Sequence, residues 1–514
     1  MSMSADAVID TRFFGHPRAL GTLFFTELWE RFSYYGMRAI LILFMTASVQ
    51  SGGLGFDVGT AGAVYGLYTG MVYLACLPGG WLADRLLGAR RATVIGGTII
   101  MVGHLCLALP RNESFYLGLV LLVIGTGLLK PNVSTLVGQL YVAEDRRRDA
   151  GFSLYYMGIN TGAFLAPLVC GALAQGEGFR AVLVSFGIAP SHAWHFGFGA
   201  AAVGMACGLV TYLHGSAQFG NAGLPPLASL ARAQASRIAW RGGLGLLGLI
   251  AVVIALVVSG ALTISATGLG NAFGLALLAI TITFFLWIFL RADWSAAERR
   301  RLWMVLALFL GATAFWSLYE QGGSTLTLFA ERNTDTTLLG YDFPASWMQS
   351  LNPIYIICGL APAFAWLWLR LGTREPSSTA KFALGLAFMA AGYGVMMVAG
   401  SIAQSGVRVS PMWLAVMYFL HTLGEMCLSP VGLSAMTKLA PARIASLTMG
   451  VWFLASSIGS YLGGRVASLY DSLGLVEIFS ALTGFAVIAA VVMALLVRPL
   501  QHMLEARHPA GAVN

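Results

Sequence analysis

Charge is the scarcest property of this chain. Only 10% of its 514 residues are Asp, Glu, Lys or Arg, against about 25% in a soluble globular protein. Hydrophobic residues make up 58%, and the mean hydropathy is +0.77. These values exclude an ordinary soluble domain and point to a polytopic membrane protein. In lipid only helices and closed barrels satisfy their own backbone. Alternating polar and apolar residues are also lacking: the apolar runs are continuous, which argues against a barrel. Cysteine is sparse, at six residues (Cys76, Cys106, Cys170, Cys207, Cys358, Cys427), with no CxxC pair. They read as small apolar packing residues. No HExxH or similar metal cluster and no evident nucleophile–base pair stand in the apolar runs, so neither a metal site, nor a cofactor, nor a membrane-embedded enzyme is expected. The first residues, MSMSADAVIDTRFFGHPR, are polar and mixed in charge. No cleavable signal peptide is expected there, and the first span would serve as the insertion signal.

What the chain does have is fourteen apolar segments of spanning length. They lie near 22–48, 60–83, 92–109, 115–139, 150–174, 194–213, 241–259, 271–290, 302–329, 346–369, 381–400, 411–437, 445–469 and 475–497. An even number puts both termini on one side. With the termini inside, 22 of the 30 Lys and Arg fall in inside segments and five outside: Arg111, Arg180, Arg332, Arg408 and Arg465. That bias is the positive-inside signature, so both termini are expected in the cytoplasm. It also explains the net charge of +8 as an insertion feature, with no nucleic acid partner. The three remaining cations, Arg31, Arg38 and Lys130, are inside spans.

The first span carries ELWERFSYYGMR, Glu27 to Arg38. At about 100° per residue, Glu27, Glu30, Arg31, Tyr34 and Arg38 share an arc of about 100°, with Tyr35 beside it. The stripe rises about 16 Å. Lipid would penalise each charge by several kcal/mol, so this face must look into protein or a wet cavity. One reading is a structural network in which Glu27 and Arg31 pair and pack helices. The other is proton coupling, because two acids compete for one nearby arginine. Lys130, at least nine residues from either end of its span, is another intramembrane ion. Tyr156 and Asn160 stand one turn apart, as do Trp316 and Glu320, and Glu425 and Ser429. Gly322 and Gly323 follow Glu320, and a glycine pair lets a helix bend. Asn352 precedes Pro353, where proline frees a carbonyl.

After the second span, GGWLADRLLGARR resembles the loop signature of the major facilitator superfamily. AWLWLRLGTREP looks like its decayed copy in the second half. The resemblance implies an all-α major facilitator fold with two six-helix bundles. The expected division is an N-terminal bundle over 1–213, a linker and inserted helix pair over 214–300, and a C-terminal bundle with a cytoplasmic tail over 301–514. Asp84, Arg85 and Arg90 of the loop would stabilise helix ends.

ELWERFSYYG also resembles the ExxERFxYYG motif of the proton-dependent oligopeptide transporter family, POT or PTR2. GTGLLKPNVSTLVGQLY and FSLYYMGINTGAFLAP are similar to its fourth- and fifth-helix motifs. FWSLYEQGGSTLTLF, QSLNPIY and GEMCLSPVGLSAMTKLAP resemble its seventh, eighth and tenth helices. The resemblance implies a symporter importing di- and tripeptides with protons as coupling ion, working as a monomer in the bacterial inner membrane. It implies that Glu27, Glu30, Arg31, Lys130, Glu320 and Glu425 carry coupling. Arg38 and Lys130 would hold the peptide carboxylate; Glu425, Asn160 and Asn352 would hold its amine. Tyr34, Tyr35, Tyr73, Trp316 and Trp452 would form side-chain pockets, with Tyr156 and Ser429 also at the site. By the same analogy Arg38 would pair with Glu320 and Lys130 with Glu425, while Glu27 and Glu30 trade Arg31 and Lys130. Animal members carry a proton-linked histidine in the second helix. AGAVYGLYTGMVYLACLPGGWLAD has none, so coupling is expected to rest on carboxylates, with His421 the nearest histidine in question. A drug antiporter, a symporter of other anions and a channel are the competing readings. Glu425 favours a zwitterion over a simple anion, and the single, asymmetric acids argue against a channel ring.

Overall fold

The computed structural model describes residues 10–142, 145, 147–225, 229–260, 263, 265–291, 294–338, 340–439 and 445–505. Of the inside cations counted above, Arg146, Arg443 and Arg507 lie outside these. The chain runs α1 (Arg18–Thr46), α2 (Val58–Leu82), α3 (Ala89–Leu107), α4 (Asn112–Gln139), α5 (Arg148–Gln175), α6 (Glu177–Ser185), α7 (Ala193–Gly215), α8 (Ser229–Val258) and α9 (Ala266–Leu290). It continues through α10 (Ala296–Tyr319), α11 (Thr325–Asn333), α12 (Leu351–Tyr355), α13 (Ala361–Leu371), α14 (Ser378–Gln404), α15 (Met412–Leu439), α16 (Ala445–Ala467) and α17 (Leu475–Glu505). Each expected span has its helix. The ninth, 302–329, is α10 and α11 across a break. The tenth, 346–369, is α12 and α13 joined by a π-helical turn, Ile356–Leu360.

Two boundaries differ from expectation. The polar stretch before the inserted pair was expected to be a linker to about residue 240, but α8 begins at Ser229. SLARAQASR is rich in Ala, Leu, Arg and Gln, all good helix formers, and its polarity does not prevent a helix outside lipid. The connector before α10 is likewise shorter. Ser295 and Glu298 form a capping box that starts the helix at Ala296, satisfying two orphan backbone donors reciprocally. Two small elements lie between expected spans: α6, and a hairpin of β1 (Thr337–Leu338) and β2 (Tyr341–Asp342) turning at Gly340.

The chain forms two compact units. One comprises 1–40 and 75–265, the other 41–74 and 266–514. In the first, α3 and α4 meet through glycines. A Cβ at Gly96 would lie 2.6 Å from the Gly125 carbonyl oxygen, and one at Gly125 would lie 2.7 Å from that of Gly96. Seven residues along, Gly103 and Gly118 repeat the arrangement at 3.0 and 2.8 Å. In lipid such close backbone approach is what holds helices together, because the surrounding tails are as apolar as Leu. The second unit uses the same device at the corresponding spans: Gly385 of α14 and Gly424 of α15 face each other at 3.0 and 2.7 Å. The internal repeat, faint in sequence, survives in this packing. Also in the second unit, Gly66 of α2 and Gly464 of α16 touch, and Phe273 of α9 packs on Tyr461 of α16.

Polar anchors fix the ends of helices in the first unit. Arg90 donates to the carbonyls of Ala222 and Gly220, both at 2.5 Å, and lies over the Phe219 ring. The expected helix-end role of the loop thus falls on Arg90 through the turn after α7. Before α1, His16 Nδ1 lies 2.9 Å from the Tyr141 hydroxyl, which burial pushes up to about 12, so the hydroxyl stays protonated. Arg147 donates to the Gly15 carbonyl at 3.1 Å. The Arg12 guanidinium and the Arg18 N–H hold the Asp10 carboxyl well below the usual carboxylate range. A depressed carboxylate lends its stability above the unfolded value of about 4 and loses it only as pH falls through the lower folded value. Asp10→Asn is therefore expected to lower the protease resistance of this segment by the same factor at every pH from about 5 to 8; a loss that fades within that window would contradict it.

Candidate functional site

In the first unit the site is built on α1. Gly162 of α5 approaches α1 so closely that a Cβ would stand 2.2 Å from the Leu28 carbonyl oxygen. This brings α5 side chains against the charged face. Glu27, Glu30, Arg31 and Arg38 are 4%, 1%, 3% and 5% exposed, which bears out the inward orientation required by their charge. Arg31 Nε lies 3.2 Å from Glu27 Oε1, one turn back. The same guanidinium grips Glu30 with two nitrogens: Nη2 donates to Oε1 at 2.6 Å and Nε to Oε2. Adjacent residues point about 100° apart on a helix, so this second pairing needs the long arginine side chain to fold back. Both acids therefore share one cation. The Tyr155 hydroxyl stands beside Glu27. Arg31 lies over the Tyr34 ring at 5.1 Å and near Tyr35 at 6.0 Å, and Arg38 lies 6.0 Å from the Tyr35 centroid.

Lys130 is half-buried in α4 and within electrostatic reach of Glu30, Glu27 and Arg31. Its place follows from glycine as well. Gly79 of α2 sits on the Gly127 backbone, less than one turn before Lys130. Tyr156 is half-buried on α5. Asn160 Nδ2 donates to the Tyr156 carbonyl at 2.9 Å, so the pair expected to share a face is joined through the backbone of one helix.

In the second unit the site is a triangle from three helices. Asn352 Nδ2, on α12, donates to Glu425 Oε2, on α15, at 2.8 Å and to Thr422 Oγ1 at 3.0 Å. The Tyr319 hydroxyl, at the end of α10, lies 2.9 Å from the same Glu425 oxygen and 3.1 Å from Asn352 Oδ1. The α10 helix stops there. Glu320–Gly323 is a 3-10 turn, and α11 resumes at Thr325. The expected bend at the glycine pair is thus a break that begins at Glu320. Side chains stabilise it: Gln321 Nε2 donates to Ser317 O, Thr325 Oγ1 to Gln321 Oε1, and Thr327 Oγ1 and the Tyr418 hydroxyl to Gly322 O. Such bonds reclaim carbonyls that a break leaves in a water-poor interior.

Glu320 is 2% exposed. Trp316 stacks edge-on against Trp452 at 6.2 Å and Tyr319 at 5.4 Å. Trp316 Nε1 and Ser429 Oγ are buried with no hydrogen-bond partner among the described residues. Tyr73 is half-buried on α2. His421 stacks on Tyr393 at 4.7 Å, one turn from Glu425. Three residues escaped sequence reading. Tyr155 stands beside Tyr156 and was passed over because only Tyr156 is four residues from Asn160. Tyr319 lies between Trp316 and Glu320, inside a quoted motif. Thr422 shares a helix face with Glu425, and that spacing was its only signal.

Comparison with known proteins places these elements in context. The pattern of the POT family, PTR2, matches residues 90–477. The chain is 43% identical to an uncharacterized transporter, YclF, of Bacillus subtilis over 90% of this chain and 89% of that protein. It is 39% identical to the peptide transporter YePEPT of Yersinia enterocolitica over 96% of each. A crystal structure of a peptide transporter POT with sulfate superposes with a TM-score of 0.87 at 40% identity, covering 97% of this chain and 99% of that one.

Proposed function

Because the chain belongs to the POT family of membrane transporters, we propose that it is a proton-coupled symporter importing di- and tripeptides by alternating access. It has the major facilitator fold and is a transporter, not an enzyme. The relatives named as peptide transporters support peptide as the cargo. The observation that carries coupling is Arg31 held by two buried carboxylates, Glu27 and Glu30. The trio carries one more negative than positive charge, and one proton makes it neutral.

A short peptide is a zwitterion with constant ends and variable side chains, so a tolerant site must grip the ends. Arg38 and Lys130 take the carboxylate, the arginine bidentately. Glu425 and Asn352 take the amine, joined by Asn160, whose Nδ2 is spent on its own helix and whose Oδ1 accepts from an ammonium. Tyr34, Tyr35, Tyr73, Trp316 and Trp452 receive the side chains, with Tyr156 and Ser429 also at the site. In this reading Arg38 would pair with Glu320 and Lys130 with Glu425 when the outside is closed; protonation of a carboxylate would release its cation for substrate. The chain works as a monomer in the bacterial inner membrane with both termini cytoplasmic.

Uptake of labelled dialanine into proteoliposomes tests this. One proton per peptide at 100 mV supplies about 2.3 kcal/mol, or about fiftyfold accumulation. Uptake that is equal with and without an inward proton gradient would remove coupling. No uptake at all would remove peptide as cargo.

A further inference from the structure

The amine end of the proposed site has an organiser. Glu425 receives two donors on one oxygen. Asn352 Nδ2 lies 2.8 Å and the Tyr319 hydroxyl 2.9 Å from Oε2. Tyr319 also lies 3.1 Å from Asn352 Oδ1. A glutamate carboxylate alone turns almost freely about its last torsion, which has a broad, roughly twofold profile. Two donors arriving from α10 and α12 at one oxygen fix that plane. The hydroxyl has one proton, which Glu425 Oε2 and the neighbouring Asn352 Oδ1 share; Asn352 itself is held through Nδ2, which donates to Thr422 Oγ1 at 3.0 Å. We infer that Tyr319 is a positioning residue that sets Glu425 and Asn352 together and thereby makes the site selective for substrates with a free amine.

This rests on Glu425 taking the peptide amine, as proposed above. The ring of Tyr319 has its own packing, stacked on Phe315 at 5.8 Å and edge-on to Trp316. Removing the hydroxyl alone therefore leaves that packing in place. The hydroxyl acts on an ionised acceptor, and such hydrogen bonds are the strong ones.

The test is Tyr319→Phe in proteoliposomes, with dialanine and its analogue lacking the amine as competing substrates. The expected result is a KM for dialanine raised about tenfold with little change in kcat, and no change in the inhibition constant of the amine-free analogue. In a Glu425→Gln background, Tyr319→Phe should add nothing. If the Phe variant does not reach the membrane, Thr422→Val reads the same tether with a smaller KM rise confined to dialanine. Equal weakening of both substrates, or a full effect in the Glu425→Gln background, would overturn the inference. If Glu425→Gln alone leaves the preference for a free amine intact, it is the amine role of Glu425 that fails.

Discussion

Proton-driven accumulation of dialanine is expected to vanish in Glu30→Gln and in Glu27→Gln, while counterflow continues. The reason is charge count within a buried cluster. Glu27, Glu30 and Arg31 are almost fully buried, and Arg31 bridges both acids. In the native trio one acid can take a proton while the other still neutralises the arginine. With either acid replaced by Gln, the remaining carboxylate and Arg31 already balance. Protonating that last acid would leave an uncompensated buried cation, and breaking such a pair costs about 3–5 kcal/mol. That exceeds the roughly 2.3 kcal/mol which 100 mV supplies per proton. The site can still change sides carrying peptide, so exchange of labelled for unlabelled dialanine survives. Accumulation falls from about fiftyfold toward unity. Wild-type accumulation in both variants would take the trio out of coupling. Loss of counterflow as well would show a structural role instead.

The charged stripe of the first span was legible because its physics is one-dimensional. Helical period puts the four charges on one face, and lipid forbids that face. The spans were legible for a similar reason: length and hydropathy alone define them. What periodicity does not encode is which neighbour a long side chain reaches. Both acids were expected to compete for Arg31; that one guanidinium reaches both at once, by folding back onto the adjacent Glu30, was not. Tyr155, which the spacing did not single out, stands beside Glu27. Which α5 side chains meet α1 depends on how α5 is rotated, and that rotation follows the approach of Gly162 to Leu28. Tyr319 acquires its meaning only from α12 and α15, which follow it in the chain by 33 and 106 residues. Helix starts in the polar connectors before α8 and α10 were misplaced because hydropathy marks lipid, not helix. There the capping box of Ser295 and Glu298 was the better guide.

Gly79→Ala is expected to destabilise the folded protein strongly, while Gly80→Ala next to it is tolerated. A Cβ at Gly79 would stand 2.0 Å from the Gly127 carbonyl oxygen and 2.5 Å from its carbon. Real Cβ atoms do not approach backbone so closely, and no flexible side chain is there to yield. At Gly80 the nearest atom would be Pro131 Cβ at 3.7 Å, ordinary contact. The Gly79 methyl must push α2 and α4 apart, and the close approach that replaces a hydrophobic driving force within lipid is lost. Overpacking a tight core costs about 1–3 kcal/mol and more where backbone is the obstacle. That is a large part of a marginal stability of about 5–15 kcal/mol. The shift would also carry Lys130, three residues after Gly127, away from Glu30 and Arg31. Size-exclusion profiles and unfolding temperatures in detergent separate the two variants. A monodisperse Gly79→Ala protein with native unfolding temperature would mean the helices do not meet at Gly127. If it folds but transports peptide without proton accumulation, the methyl has been absorbed by moving α4, and Lys130 is tied to coupling through its distance from the acidic pair.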